Sequence, residues 1–515
     1  NVTGRCYPDL HYMMDNSAKI QFILNLIEKQ SYFVINRPRQ YGKTTALFAV
    51  EEKLLQTDKY VPIRLNFQGI DQKWYKSDSN FAKMLYQQIA NYLEFQNKTL
   101  FDFVELQRKN VSDMNSFSVF ITKLVHFSAK KLVLLIDEVD ASGNYMPFLS
   151  FLGMLRTKYL DRTSLHNYTF YSVVLVGVHD VKSLKYKIRK PENAQYDSPW
   201  NIAVNFETEM EFNPTEIAPM LADYSQAENV SMNVKEISEK LYFYTSGYPF
   251  LVSRLCQIMA EKVLPQKQIK TWEVEDLEKA IQIIQKEVNT NFESLIKNLE
   301  NHQDLYDLVF NMLMNGKIFS FDPHQETIRK GMIYGIFRQE KQVEIHNRIY
   351  EQIVYNYLVS NVETKQKLVF ETENPFLLPD QSLDFERVLQ RFQAYMKENF
   401  NQKDKDFLEK QWRLIFLAFI KPIINGKGFD FKETQISDEK RLDVVITYGK
   451  FKYVVELKIW RGQDYHEKGV LQLADYLEKQ SLKTGFLVIF DPRKEQIWQQ
   501  KWIETEEKRI FAIWV

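Results

Sequence analysis

Cysteine is nearly absent. Cys6 and Cys256 are the only two in 515 residues, too few for a disulfide framework or a four-cysteine zinc site. No sign of charge is in excess, since 67 basic residues balance 67 acidic ones. Any contact with nucleic acid or an anionic membrane must then come from a local patch rather than a general pull. No stretch approaches the roughly 18 uninterrupted apolar residues of a membrane helix. The opening NVTGRCYPDL has neither a basic n-region nor an apolar h-region, so no signal peptide is expected. The sequence starts at Asn1 rather than Met, which leaves room for an upstream piece. Internal repeats and low-complexity tracts are missing too. These absences point to a cytoplasmic protein without a membrane partner.

What is there is ordinary globular material, 45% hydrophobic and 26% charged, long enough for three or four compact units at about 150 residues each. The first two hundred residues alternate short β-rich apolar runs with helical patterns. Strands are expected at Tyr32–Asn36, Val61–Phe67, Leu132–Asp137, Tyr171–Gly177 and Ile202–Phe206, with a helix over Phe81–Phe95. Most of these runs are continuously apolar, as in strands buried on both faces of a parallel sheet. The expectation is a three-layer α/β core over residues 1–213 and a helical lid over 214–290. Residues 291–362 read as helices with a hairpin, strand Gly331–Phe337, turn, strand Gln342–Ile345, which suggests a winged-helix-like module. A two-proline stretch marks a linker at 363–383. A final α/β unit, 384–515, begins with a helix near Phe385 and an apolar tract at Trp412–Ile423. Strands follow at Phe429–Ile436, Leu442–Tyr448 and Phe451–Ile459, then a helix at Val470–Lys479 and a strand at Gly485–Phe490.

The first chemical signal is the passage from strand YFVIN through Arg37-Pro-Arg39-Gln-Tyr-Gly42-Lys43-Thr44-Thr45 into a helix. A strand, a Gly-containing loop and a helix N-terminus bind phosphate through backbone N–H groups and the helix dipole. Lys43 would reach the terminal phosphates and the Thr44 hydroxyl would ligate Mg²⁺. Gly-Lys-Thr alone also occurs in ordinary helix caps, and Arg37 stands where the standard loop has its first Gly. About ninety residues on, the strand Leu132–Asp137 ends in paired carboxylates, Asp137 and Glu138. In a P-loop ATPase the first supports Mg²⁺ and the second polarises the attacking water; alone, such a pair is equally a solvated strand end. The two motifs in this order predict an ATP site. His179 or Asp180 could sense the terminal phosphate, or simply cap a strand. Pro249, in Gly247-Tyr248-Pro249, resembles the turn of a base-covering lid but equally suits the first turn of a helix. Arg189 and Arg254 fit surface salt bridges better than phosphate contacts.

The second signal lies in the last unit. Twelve residues separate Asp443 from Glu456, and strand period two puts Glu456 and Lys458 on one face. A turn at Tyr448-Gly-Lys450 would bring Asp443 alongside Glu456. Two carboxylates and a lysine can bind Mg²⁺, or Mn²⁺, orient a water and stabilise a pentacovalent phosphate. The competing account is an amphipathic hairpin with a cross-strand salt bridge. Gln472 and Tyr476 follow, four apart on one helix face, and Glu409 upstream is a further carboxylate candidate. His466 is expected on a surface loop.

These motifs carry a resemblance. Asn36-Arg-Pro-Arg-Gln-Tyr-Gly-Lys-Thr resembles the AAA-ATPase-like family, in which R-P-R-x-x-G-K-[ST] replaces the standard loop, as do Val176-Gly-Val-His-Asp, Ser198-Pro-Trp-Asn-Ile-Ala and Tyr248-Pro-Phe-Leu-Val. The resemblance places the chain with STAND-like P-loop ATPases, which act as switches. Asp443, Glu456 and Lys458 with Gln472 and Tyr476 resemble the PD-(D/E)XK nuclease superfamily, of restriction-endonuclease-like α/β fold. The implied function is an ATP-binding and hydrolysing switch controlling a metal-dependent nuclease acting on nucleic acid, DNA by preference, in defence, repair or mobile-element biology. The alternative is a non-catalytic switch whose nuclease-like domain only holds DNA or a protein partner. An ATP-driven translocase lacks support from any helicase motif. Self-association into a homo-oligomer stays open.

Overall fold

The computed structural model describes residues 4–515 except 144, 164–166, 179–199, 316, 367–375, 400–412, 414, 418, 422, 425–427, 434–442, 449–450, 480–481, 494–497 and 506–507. The chain divides into two compact units: Asn1–Asn291 with Arg329–Arg338 and His346–Ile349, and Phe292–Ile328 with Gln339–Ile345 and Tyr350–Val515. Among the described residues no helix is long and apolar enough to cross a membrane.

The first unit is built on a parallel sheet of four strands, β1 (Tyr32–Asn36), β2 (Tyr60–Asn66), β3 (Lys131–Asp137) and β4 (Ser172–Gly177), in the order β1-β4-β3-β2. Their apolar runs are buried on both faces. Ile63, Leu65, Leu132, Leu134, Ile136, Val173 and Leu175 share one core cluster with helices Asp78–Gln96, Met114–Phe127 and Met146–Leu160. The intervening Val133, Leu135, Val174 and Val176 are buried too and face the opposite side. The helix that follows β1, α1 (Lys43–Leu55), buries Ala46, Leu47, Val50 and Leu54 at helical spacing. Local signals fix the helix starts: Ser77 accepts from the N–H of Asn80, and Asp113 with Ser116 forms a reciprocal capping box.

The expected fifth strand, Ile202–Phe206, is reduced to a single bridge between Phe33 and Val204. The chain turns there instead: Ala203 N–H donates to Trp200 O (3.1 Å), and the Trp200 side chain is fully buried. Helices Pro214–Glu228, Val234–Thr245, Pro249–Ile258 and Val274–Ile284 follow. The first starts on a capping box between Asn213 and Glu216. Gly247 (φ +72°) is obligatory, because a Cβ would collide with the backbone of Phe212. The expected strand Gly331–Phe337 begins as the end of the helix Glu326–Ile333 and continues as a turn, with strand only at Phe337–Arg338 and Glu344–Ile345. Gly331 lets that helix lie directly on the Phe337 ring, a contact the sequence pattern does not reveal.

The second unit ends in a six-stranded mixed sheet: β5 (Gly428–Glu433), β6 (Asp443–Tyr448), β7 (Phe451–Ile459), β8 (Thr484–Phe490), β9 (Gln500–Thr505) and β10 (Lys508–Trp514), in the order β9-β10-β8-β7-β6-β5. Helix α2 (Gln463–Lys479) connects β7 to its parallel neighbour β8 and places Val470, Leu473, Tyr476 and Leu477 on Val454, Leu487, Ile489, Ile510 and Trp514. A helix spans Phe385–Asn399, and the described residues between 413 and 424 are helical. Of the expected linker 363–383, the first four residues end the helix Arg348–Gln366, 367–375 lie outside the described residues, and 376–383 turn back on a bridge between Leu377 and Leu383.

Candidate functional site

The turn after β1 departs from a glycine-rich loop at its first position, and the side chain there is used. Arg37 donates through its guanidinium to Asn36 O (2.9 Å) and Thr208 O (2.7 Å), and lies over the Phe206 ring. Its own N–H donates to Gly177 O at the end of β4 (3.2 Å). The entry of the loop is thus braced by an arginine where a standard loop has Gly. Gln40 (φ +58°) and Gly42 (φ +72°) make the tight curve into α1. Lys43, 8% exposed, donates to the carbonyls of Arg37 (2.9 Å) and Pro38 (2.7 Å). Burial pulls its ammonium down to about 8, against the opposing charges of Glu138, Asp140 and Asp137.

The end of β3 meets this helix start. The Thr44 hydroxyl donates to Asp137, which also accepts from the Glu138 N–H (3.0 Å). Burial raises the Asp137 carboxyl; burial and then the neighbouring Asp137 raise Glu138. Glu138 itself sits in the left-handed region (φ +56°, ψ +42°), unusual for a residue with a side chain and costing on the order of 1 kcal/mol. The following turn holds it there: Val139 is buried in the core, and Ser142 hydrogen-bonds Tyr75 (2.7 Å). A buried carboxylate hydrogen-bonded to a threonine hydroxyl, with an ammonium close enough to feel it, suits a magnesium–phosphate group. Arg39 is exposed, and the Thr45 hydroxyl accepts from Cys6 N–H (3.1 Å).

Residues much further along the chain pin the loop. Tyr248 donates its hydroxyl to Arg39 O (2.5 Å). Gly335 (φ +71°) packs against Pro38, where a Cβ would fall 2.8 Å from the proline ring. Tyr41, fully buried, hydrogen-bonds both Glu211 (3.0 Å) and His346 Nε2, and His346 Nε2 lies 3.3 Å from the same Glu211 oxygen. Burial pushes the Glu211 carboxyl up, but the hydrogen bond and charge of His346, with help from Tyr41, bring it down to about 2. Pro249 occupies the first turn of its helix, buried; the residue that reaches the loop is its neighbour Tyr248. Arg254 forms a two-pronged ion pair with Glu287 (2.9 and 2.7 Å).

In the second unit, antiparallel register sets Asp443 directly opposite Glu456. Glu456 is 2% exposed; its Oε1 pairs with Lys458 Nζ at 2.7 Å, and its buried Oε2 has no hydrogen-bond partner among the described residues. A Cβ added to Gly469 on α2 would come into van der Waals contact with the Lys458 stem. Gln472 is half-buried on the same helix, and Tyr476 is buried with its hydroxyl unsatisfied among the described residues. A buried carboxylate oxygen without a donor is the chemistry a divalent cation completes. Among the described residues no three His, Cys, Asp or Glu side chains are grouped as metal ligands. His466 is not on a surface loop: it is buried on α2 between the indoles of Trp460 and Trp514, and burial lowers its pKa.

The AAA-like domain family matches residues 10–356, about two-thirds of the sequence. The chain belongs to that family. The matched range, with its P-loop ATPase-like core, contains Arg37, Lys43, Thr44, Asp137, Glu138 and the loop's later contacts Glu211, Tyr248, Gly335 and His346, while the six-stranded sheet lies beyond it. An uncharacterized WD repeat-containing protein of Synechocystis is 23% identical over 339 residues, covering 61% of this chain and 26% of that protein. The match thus spans about a quarter of that relative's length. Among solved structures, the Walker-type ATPase of Pyrococcus abyssi aligns with TM-score 0.46 at 12% identity, over 69% of this chain and 99% of that one. The ORC2 protein of Aeropyrum pernix aligns with TM-score 0.40 at 11% identity, over 67% and 93%.

Within the AAA-like domain, the structure brings together Lys43, Thr44, Asp137 and Glu138, all named from the sequence. His179, Asp180 and Arg189 lie outside the described residues, as do Glu409 and the side chain of Asp443. Sequence reasoning missed Tyr41, Glu211, Tyr248 as a loop contact, and His346. An aromatic residue inside a phosphate loop was the one available signal, since a buried Tyr hydroxyl needs a partner.

Proposed function

We propose that this chain is an ATP-hydrolysing switch whose AAA-like core governs a metal-dependent phosphodiester-cleaving site in its last domain. The observation that carries the first half is the meeting of α1 and β3, where the Thr44 hydroxyl bonds the buried Asp137 beside Lys43 and Glu138. In this reading Lys43 turns from the loop carbonyls to the terminal phosphates. Loop N–H groups at the start of α1 hold the phosphate oxygens. Thr44 and Asp137 hold Mg²⁺, which would offset phosphate charge when bound. Glu138, made more basic by burial and by Asp137, takes the proton of the attacking water. Gly42, Arg39 and Thr45 shape the loop, and Pro249 sets the lid turn beside it. We assign residues 1–213 to the core, 214–290 to the lid, 291–362 to a winged-helix-like module and 384–515 to a PD-(D/E)XK-like domain.

For that last domain, the Asp443–Glu456 register and the unsatisfied Glu456 oxygen support a Mg²⁺ or Mn²⁺ site, with Lys458 and Gln472 positioning water and phosphate, on DNA as substrate. The Glu456–Lys458 ion pair favours a second reading, in which the sheet binds DNA or a protein partner without cutting. Incubating the protein with plasmid and single-stranded DNA, with Mg²⁺ or Mn²⁺, with and without ATP, separates the two. Cleavage that needs metal supports the nuclease; no cleavage in any nucleotide state leaves the binding reading.

A further inference from the structure

One peptide group touches both halves of the ATP site. The peptide between Gly177 and Val178, at the end of β4, uses its carbonyl to accept the N–H of Arg37, where the phosphate loop begins. Its N–H donates to the carboxylate of Asp140, two residues beyond Glu138. The fit is close: a Cβ on Gly177 would fall 2.8 Å from Val139 Cγ2 and 2.9–3.0 Å from both Asp140 oxygens. Asp140 also lies near enough to Lys43 and Glu138 to add its charge to theirs. The backbone turn it closes carries Glu138 in the left-handed conformation, with Ala141 N–H donating to Glu138 O (3.2 Å).

We infer that Asp140 is a positioning residue for hydrolysis, fixing the Glu138 turn to the loop entry through the Gly177–Val178 peptide. The inference rests on the ATPase reading of the site and goes beyond it, because it gives Asp140 a role exerted through the Gly177–Val178 backbone rather than as a group for phosphate or metal. Sheet strands end wherever their pairing stops, so nothing in β3 or β4 alone fixes the distance between the carboxylate turn and the loop. A carboxylate accepting a backbone N–H makes a short, charge-assisted bond. Polarising that amide strengthens the hydrogen bond its carbonyl accepts from Arg37. The loop and the general base are thereby held to one reference point. Gly177 is required by the same contact, since any side chain there would push the carboxylate off the amide.

The test compares D140A, D140N and G177A with the unaltered chain in steady-state ATP turnover, and in affinity for a non-hydrolysable ATP analogue. Hydrogen exchange at the Val178 amide and thermal unfolding complete the set. Asn keeps an oxygen to accept the Val178 N–H and loses the charge. D140A and G177A should lower kcat on the order of 100-fold, the effect of displacing a catalytic group by about 1 Å. Analogue affinity should stay within a few-fold. D140A should expose the Val178 amide to faster exchange, and D140N should recover most of the turnover and the protection. The inference is overturned if D140A keeps wild-type kcat, if D140N is as impaired as D140A, if analogue affinity falls in parallel with kcat, or if Val178 exchange does not change. An unaltered chain that binds the analogue but turns over no ATP overturns the hydrolytic reading and this role with it, whereas failure of the variants alone leaves that reading standing.

Discussion

The two candidate sites are built in opposite ways. The ATP site gathers residues from β1, α1, β3, β4 and three later stretches, tied by contacts to backbone carbonyls from Lys43 and Tyr248 and by side-chain bonds among Thr44, Asp137, Tyr41, Glu211 and His346. The C-terminal site rests on one antiparallel pair, Asp443 opposite Glu456, with a single ion pair and two unsatisfied buried oxygens, Glu456 Oε2 and the Tyr476 hydroxyl, among the described residues. A site held from many directions is preorganised, and its chemistry follows from its geometry. A site resting on a strand pair is completed by what binds it. The first should therefore tolerate little change in any member, and the second should respond most to metal.

The sharpest break in the comparison is Lys43→Ala. It should abolish ATP hydrolysis and weaken nucleotide binding several-fold or more, because Lys43 is the ammonium bonded to the loop carbonyls among the described residues. Glu138→Gln should instead bind ATP and hydrolyse it about 100-fold more slowly. Turnover and equilibrium binding measured side by side would show it, and unchanged turnover in both variants removes the ATPase assignment. Next, Asp443→Ala and Lys458→Ala should lose metal-dependent DNA cleavage while ATP hydrolysis persists, read from plasmid nicking and phosphate release in one preparation. Loss of both activities together would contradict the separateness of the sites.

A smaller effect concerns pH. Burial brings Lys43 to about 8, and only the ammonium holds phosphate. Below that value the lysine is charged and affinity for ATP should be flat. As pH rises through it the free protein loses the proton, so binding must take one up. Affinity should then fall, by at most about tenfold per pH unit. Calorimetry in buffers of different ionisation enthalpy should show proton uptake on ATP binding at pH 9 and little at pH 7; a flat affinity from pH 7 to 9.5 would sink this. Smallest is Tyr41→Phe, which removes a hydroxyl shared by Glu211 and His346. It should lower stability by about 1–3 kcal/mol, since two buried partners lose a hydrogen bond, and thermal unfolding would measure it. No shift in unfolding would mean that the hydroxyl is easily replaced by water.

Much of this architecture was legible in the residues. Continuous apolar runs gave the four parallel strands because burial on both faces leaves no polar alternation. The β6–β7 register followed from the turn at Tyr448 and the two-residue strand period. Ile202–Phe206 misled, because its apolar residues serve a turn anchored by Trp200 rather than a ladder. The pattern at Gly331–Phe337 misled because its Ile333, Tyr334, Ile336 and Phe337 favour a strand, and nothing local shows that Gly331 packs a helix on the Phe337 ring. Strands β9 and β10 were missed, although Arg509–Val515 is as apolar as β8. His346 and Glu211 could not have been found, since nothing local marks two residues that meet Tyr41 only after the whole first unit has closed.

That last contact sets an order in time. Tyr41 and His346 are 305 residues apart in the chain, and domains fold as they leave the ribosome at about 5–20 residues per second. The strand, loop and helix that carry Lys43 would emerge about 15–60 s before their final partner. Part-way through that interval the sheet gains the last of its strands, but until the interval ends the loop lacks one of its anchors. The nascent chain should therefore acquire its mature grip on nucleotide late, as a property of the completed unit rather than of the motif that names it.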